Sequence, residues 1–176
     1  MPTTELNAAE YRALRDTIRE RGTIRLCAVL AGLAAWGALA LALRIALLDG
    51  PVTLVPLVVL FATFEINFFI HTGVERVGRY IQVFYDERGA APGWESAAMS
   101  YGARFPAGGL DPLFAAIFIV AGVLNFVVSL GHWQPGWTAI SLLAHLAFNY
   151  RIVRARQASR TQRALDLDRF RALASK

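Results

Sequence analysis

The chain has 176 residues, of which 56% are hydrophobic, and its mean hydropathy is +0.42. This composition is too apolar for an ordinary soluble domain, and the length favours a single domain of residues 1–176. The net charge is +5, but nucleic-acid binding is not favoured, because membrane orientation accounts for the positions of the basic residues. The single cysteine, Cys27, excludes an internal disulfide framework.

The first predicted element is an amphipathic helix within residues 1–23, expected on the cytoplasmic side. Asn7 is a capping residue followed by Glu10 at the third helical position, and a narrow apolar stripe continues from there. Acidic residues within the charged region and the lack of a cleavage pattern argue against a signal peptide.

Residues 24–48 form the first predicted transmembrane helix, since about 20 apolar residues suffice to cross a bilayer. Arg44 is its one charged residue past Arg25, and it is expected either to reach outward or to pair with Asp49. Small residues recur every fourth position, a spacing that lets helices approach closely in lipid. This predicted packing stripe is Ala34, Ala38, Ala42 and Ala46.

After a turn at residues 49–51, the second predicted span covers residues 52–72 and continues as a cytoplasmic helix to residue 88. Glu65 would lie about 20 Å into this span at 1.5 Å per residue, where a carboxylate must be paired, hydrated or protonated. The alternatives are a hydrogen-bonded glutamate that holds helices together and an ion or proton site. The intramembrane polar candidates are Glu65, Asn67, His71, His145, Asn149 and Arg44, with His145 and Asn149 as the expected partners of Glu65.

The cytoplasmic continuation of this helix carries charges at helical spacing. His71 and Glu75 are four residues apart, as are Glu75 and Arg79. Such pairs stabilise a helix by about 0.2–0.5 kcal/mol each. The segment Glu75, Arg76 and Arg79 is either a solvated ion-paired face or a face that binds lipid or an anionic ligand. The aromatic residues at 80–86 are expected to remain helical and to contact the N-terminal helix or the tail beyond Arg151.

Residues 89–110 are rich in glycine and proline and are predicted to be a cytoplasmic loop, with a short helix near Trp94 to Tyr101. Asp111-Pro112 is a helix start, and the third predicted span covers residues 111–130. The fourth covers residues 136–152 and continues as a cytoplasmic helix to residue 174, because no glycine or proline interrupts it.

Basic residues determine the predicted topology. Seventeen of the 18 lie before the first span, between the second and third, or after the fourth, and only Arg44 lies towards the outside. The positive-inside rule therefore places both termini in the cytoplasm. The expected fold is an all-α integral membrane protein with four transmembrane helices and long cytoplasmic helical extensions. The high ratio of arginine to lysine favours a bacterial inner membrane, with anionic lipid at the cytoplasmic rim.

No catalytic set, phosphate-binding motif or metal-ligand spacing is recognisable, so no enzyme, metal or cofactor is predicted. The function expected from the sequence is that of a non-enzymatic assembly or accessory subunit. It would act through helix association in a homo-oligomer or a larger membrane complex. The alternative is a small ion or proton channel or transporter that uses Glu65.

Overall fold

A computed structural model describes residues 2–46, 50–88, 93–104, 113–130 and 135–175. Within these ranges 95% of the residues are helical and none forms a strand, which confirms the all-α fold. Several expected features lie at least partly outside the described residues: Asp49 of the first turn, most of the turn at 131–136, parts of the 89–110 loop, and the helix start at Asp111-Pro112.

The described residues form five α-helices. They are α1 (Pro2–Ile45), α2 (Val55–Ile81), α3 (Trp94–Arg104), α4 (Ala115–Ser129) and α5 (Pro135–Ala174). A short 3-10 helix, Gly50–Leu54, precedes α2, and a π-helical turn, Gln82–Asp86, follows it. Pro56 and Pro135 lie in the first turns of α2 and α5, where a missing backbone N–H costs no hydrogen bond.

The surface helix and the first span expected from the sequence belong to one uninterrupted helix, α1. By length and composition, the helices over Glu5–Ile45 and Val52–Asp86 are able to cross a membrane, while Ala115–Ser129 is a shorter apolar helix. The short helix expected inside the 89–110 loop is α3.

The chain divides into two compact units. Unit 1 is formed from Met1–Ile24, Ile70–Leu110 and Ala158–Lys176, and unit 2 from Arg25–Phe69 and Asp111–Gln157. The helices α1, α2 and α5 each contribute residues to both units.

Unit 2 has an aromatic core. The ring of Phe64 packs edge-on against Phe118, at a centroid distance of 5.3 Å, and against Phe148, at 6.3 Å. Close packing of this kind gains many small dispersion contacts. The largest side chains of unit 2 that are fully buried are Phe64, Phe118, Leu60, Leu113, Ile152 and Asn67.

The outer surface of unit 2 is apolar, whereas several of its buried side chains are polar. The exposed apolar residues include Leu30, Leu41, Val58, Phe69, Val120, Val127, Leu143 and Leu146. The buried polar residues are Thr63, Asn67, Asn125, Ser141 and His145. The core of unit 2 is thus mainly apolar with a few polar side chains, and its exterior exposes more large apolar side chains than is usual for a water-soluble domain.

Unit 1 is held by ion pairs and by aromatic contacts. The hydroxyl of Tyr80 donates a hydrogen bond to Glu10 at 2.9 Å, and its ring packs against Phe170. The rings of Tyr11 and Tyr85 lie 5.3 Å apart. The aromatic segment at 80–86 is therefore helical and contacts both the N-terminal helix and the C-terminal tail, which confirms that prediction.

Candidate functional site

Glu65 on α2 pairs with Arg151 on α5. The distance from Arg151 Nη2 to Glu65 Oε2 is 2.8 Å, and about one third of each side chain is exposed. The guanidinium group of Arg151 also lies over the ring of Phe68, 5.0 Å from its centroid. The pair neutralises the carboxylate, and this use of Glu65 is the one expected of a residue that holds helices together.

The expected partners of Glu65 make other contacts. Asn149 donates from Nδ2 to the carbonyl oxygen of His145 on its own helix, at 2.9 Å. His145 makes hydrogen bonds with Asn125 and Ser141. Among the described residues, the hydrogen bonds of these two side chains therefore do not include Glu65. Arg151 is the ion-pair partner of Glu65 instead. From the sequence, the basic residues after the fourth span predicted only the membrane topology.

His145 belongs to a chain of hydrogen bonds inside unit 2. Trp36 Nε1 donates to Asn125 Oδ1 at 3.0 Å, and Asn125 Nδ2 donates to His145 Nε2 at 3.0 Å. The side-chain NH2 group of Asn125 can only donate, so Nε2 of His145 is the acceptor and carries no proton. The ring proton therefore lies on Nδ1 of His145, which donates to the backbone carbonyl of Ser141 at 2.7 Å. These hydrogen bonds join α1, α4 and α5 and pair the polar groups of Trp36, Asn125 and His145.

Trp36 and Asn125 could not be recognised as part of this chain from the sequence. An indole and an amide in two separate apolar runs carry no signal of their mutual contact. The only sign was that Asn125 is the strongest polar interruption of its run.

Asn67 of α2 is fully buried, and its side chain contacts the backbone just before the start of α4. Its Nδ2 donates to the carbonyl oxygen of Leu113 at 2.9 Å, one residue before Phe114. Phe114 has a left-handed backbone with φ of 51°, a conformation that is costly for a bulky residue. Arg25 lies over the Phe114 ring at 5.7 Å. Asn67 therefore fixes the backbone at the entry to α4.

Arg44 lies at the end of α1 and is exposed. It borders a cavity of about 20 Å³ that is also lined by Thr53, Asn125 and Ser129. A cavity of this size holds a water molecule. Asp49, the predicted alternative ion-pair partner of Arg44, lies outside the described residues.

The charged segment of α2 in unit 1 pairs with α5. Glu75 accepts a hydrogen bond from Arg163 at 2.7 Å, and Arg76 lies 3.4 Å from Asp166. His71 is buried, with Nε2 at 3.4 Å from the Ser159 hydroxyl. The close partner of Glu75 is therefore Arg163, on another helix, rather than the neighbours four residues away that the helical spacing favoured.

Arg79 is the most buried cation of this segment, with 5% of its side chain exposed. Its Nη1 donates to Gln82 at 2.6 Å, and its Nη2 lies 3.5 Å from Glu95 of α3. Glu95 also accepts from Arg15 of α1 at 2.7 Å. The cluster Arg15, Arg79, Gln82 and Glu95 thus joins α1, α2 and α3.

The first turn of α3 is capped from another helix. The carboxylate of Asp86 accepts hydrogen bonds from the backbone N–H groups of Glu95, at 2.8 Å, and Ser96, at 3.2 Å. These groups have no partner inside a helix, and a negative charge near them is favourable. The π-helical turn places Asp86 where it makes these bonds.

A further ion pair in unit 1 joins Glu87, directly after the π-helical turn, to Arg171 of α5, at 2.7 Å. The hydrogen bond from Arg171 lowers the pKa of Glu87 below its ordinary value, and burial opposes this in part. The same hydrogen bond raises the pKa of Arg171. The two groups are therefore both charged at neutral pH.

The predicted packing stripe does not face the rest of the chain. Ala34, Ala38, Ala42 and Ala46 are all exposed. In unit 2, α1 packs through Val29, which belongs to the core, and through Leu33 and Trp36, which contact it. It also packs through Gly32, which lies close to the side chain of Thr63. The small residues at four-residue spacing are thus available for contacts outside this chain.

In the described part of the chain, no group of three or more His, Cys, Asp or Glu side chains is arranged to hold a metal ion. Comparison with known proteins gives no further assignment: no family model, curated protein or solved structure matches the chain.

Proposed function

We propose that this protein is an integral membrane protein with four spans, at residues 24–48, 52–72, 111–130 and 136–152, and with both termini in the cytoplasm. Two helices of suitable length and composition support the proposal. The distribution of basic residues supports the orientation.

The observation that carries this proposal is the apolar exterior of unit 2. Large apolar side chains are exposed on each of its helices, among them Leu30, Phe69, Val120 and Leu143. Soluble monomers rarely expose contiguous apolar patches larger than a few hundred Å². In a bilayer the same surface is solvated by lipid, and the buried side chains of Thr63, Asn67, Asn125, Ser141 and His145 each make a hydrogen bond within unit 2, which lowers the cost of burying them away from water.

Within the membrane, the protein acts as a non-enzymatic assembly or accessory subunit through association of helices with a second copy or with other membrane proteins. The exposed faces of α2, α4 and α5 are formed largely by bulky side chains, whereas α1 exposes the alanine stripe. Among the described residues of α1, only Val29 is buried. Since lipid supplies no hydrophobic force between helices, small side chains that permit close approach favour association.

Cys27 allows a direct test, because it is exposed and lies seven residues before Ala34, on the same side of α1. If the protein associates with a second copy, mild oxidation in native membranes is expected to give a dimer linked through Cys27. If it associates with other proteins, native mass spectrometry after gentle extraction is expected to show the complex. The pair Ala38→Leu and Ala42→Leu is expected to reduce either product strongly. The matched control is Ala139→Leu with Ala147→Leu, which enlarges two exposed alanines of α5. An unchanged association in the α1 variant contradicts the proposal.

Ion or proton handling by Glu65 is the second candidate function. The observation in its favour is that Glu65 Oε1 is buried and makes no hydrogen bond. The positive charge of Arg151 against it favours the structural role. If Glu65→Gln abolishes an ion current in reconstituted vesicles, while the Ala38 and Ala42 variants leave every association intact, the channel function replaces the assembly function.

The orientation is tested separately. Reporter fusions at residues 1, 95 and 176 are expected to report the cytoplasm, and fusions at Gly50 and Gln134 the outside. A cytoplasmic signal at Gln134 is incompatible with four spans.

A further inference from the structure

In unit 1, α2 and α5 enclose a small polar cavity of about 10 Å³, called here the α2–α5 cavity. Three of its lining residues lie on one face of α2 and four on one face of α5. They are Thr72, Glu75, Arg79, Ser159, Gln162, Arg163 and Asp166. All seven side chains carry polar or charged groups. Cavities that are truly empty in proteins are lined by apolar groups, so a cavity of this composition is expected to hold a polar ligand.

Arg79 lines this cavity and carries a buried N–H group that needs an acceptor. Only 5% of its side chain is exposed. Its terminal nitrogens are used elsewhere, because Nη1 donates to Gln82 at 2.6 Å and Nη2 lies 3.5 Å from Glu95. Its Nε is buried and makes no hydrogen bond with any residue in the described ranges. A buried donor without an acceptor is costly, and a ligand in the α2–α5 cavity that accepts from Nε removes this cost.

The charges around the cavity favour a neutral ligand. The acids are Glu75 and Asp166, and the bases are equal in number, so the formal charge of the lining is zero. Both acids already have cationic partners: Arg163 lies 2.7 Å from Glu75, and Arg76 lies 3.4 Å from Asp166. A chloride ion in the cavity would lie against two carboxylates, and a sodium ion would lie against the guanidinium group of Arg79. Neither ion is favoured, whereas the volume of the cavity matches one water molecule.

We propose that the α2–α5 cavity binds one internal water molecule, which accepts a hydrogen bond from Nε of Arg79 and donates to the carboxylates of Glu75 and Asp166. Buried waters make about three hydrogen bonds, the number provided here. Because a guanidinium group is planar, a partner at Nε fixes the orientation of the nitrogens that contact Gln82 and Glu95. The water thus joins α2 to α5 and orients Arg79 towards α3. The site lies wholly within unit 1, so it does not depend on the proposed membrane location.

The test is NMR spectroscopy of the full chain in detergent micelles, with isotope-labelled nitrogen in the arginine side chains. Magnetisation transfer from water to each Nε–H is measured in the laboratory and rotating frames, which separates bound water from chemical exchange. Nε–H of Arg79 is expected to show the cross-peak of bound water. The matched control is Nε–H of Arg163, which donates to Glu75 at 2.7 Å beside the same cavity and should show a much weaker cross-peak. The absence of a bound-water cross-peak at Arg79 would overturn the site.

Two substitutions on α5 test whether the water lies in this cavity. Ser159→Val adds an apolar branch to a residue that lines the cavity, and it should abolish the bound-water cross-peak of Arg79. Ala158→Val places the same side chain one position earlier, where the residue is exposed, and it should leave the cross-peak unchanged. Thr72→Val replaces a lining hydroxyl with a methyl group of similar size and should retain the cross-peak as well. Persistence of the cross-peak in Ser159→Val would overturn the assignment to this cavity.

Ion titrations separate water from an ionic ligand. The Nε–H resonance of Arg79 should stay in place when chloride is exchanged for gluconate and when sodium is exchanged for choline, at constant ionic strength. A saturable shift with chloride would identify an anion site, and a saturable shift with sodium would identify a cation site. Either result would overturn the choice of water.

Discussion

Glu65 and Arg151, 86 positions apart in the sequence, form an ion pair of 2.8 Å between α2 and α5. In unit 1 the pairs Glu75 with Arg163 and Glu87 with Arg171 repeat this arrangement, with the arginine on α5 and the acid on α2 or directly after the π-helical turn that follows α2. Within each unit, residues later in α2 contact residues later in α5, so the paired segments of the two helices run parallel. Fixed ionic partners set the register of two helices more specifically than apolar contacts do, because a shift leaves charges unpaired.

The ion pair of Glu65 and Arg151 predicts that the stability losses from substituting its two members are not additive. Glu65→Gln and Arg151→Gln should each lower the free energy of unfolding by about 1–3 kcal/mol, the cost of an unsatisfied polar partner. The double variant should lose less than the sum, because it leaves no charge unpaired. Reversible unfolding in mixed micelles gives the four values of the cycle.

Glu20→Gln is the control for this cycle, since Glu20 is exposed. Additive losses in the double variant would show that the two side chains are not energetically coupled.

Gly32 and Gly37 provide a matched pair on α1. A Cβ at Gly32 would collide with the side chain of Thr63, whereas a Cβ at Gly37 meets nothing within 4 Å. Gly37→Ala should therefore stabilise the helix by up to about 1 kcal/mol, and Gly32→Ala should destabilise the protein. Thermal unfolding of both variants measures the difference.

In the variant Gly32→Ala with Thr63→Ala, the Thr63 side chain is reduced to a methyl group. Only part of the lost stability should return, because the Cβ of residue 63 remains 2.7 Å from the position of the added Cβ. If Gly32→Ala is tolerated as well as Gly37→Ala, then α1 and α2 are not in close contact at Thr63.

Asp86 is expected to control the order of α3. Asp86→Ala removes the acceptor of two backbone N–H groups, a loss that costs about 0.5–2 kcal/mol at a helix start. Hydrogen exchange at Glu95 and Ser96 should become faster, while exchange in α4 stays unchanged. Gly93→Ala should act in the same direction, because its Cβ would collide with the Asp86 carboxylate. Unchanged exchange at both amides would contradict the cap.

The pair of Glu87 and Arg171 predicts an acid-sensitive end of α5. Because the pKa of Glu87 is lowered in the folded protein from 4.5, its contribution to stability is complete above that value. It is lost as the pH falls through the lowered folded pKa. Hydrogen exchange in the last turns of α5 should therefore accelerate at acidic pH.

Arg171→Gln is expected to return the pKa of Glu87 towards its ordinary value and to remove this pH dependence. Titration of the Glu87 side chain by NMR checks both statements. An unaltered titration curve in Arg171→Gln would show that another group lowers the pKa.

The amino-acid sequence determined the helices of this protein, because helix formation and apolar content depend on residues within a few turns of each other. Long apolar runs and the absence of glycine and proline after residue 151 were sufficient for that. Only the tertiary structure decided the partners of the polar residues. Glu65 meets Arg151 rather than His145, and Trp36 meets Asn125, across separations of 86 and 89 positions. Spacing along one helix carries no information about which side chains of another helix lie opposite, and packing of the whole unit selects them.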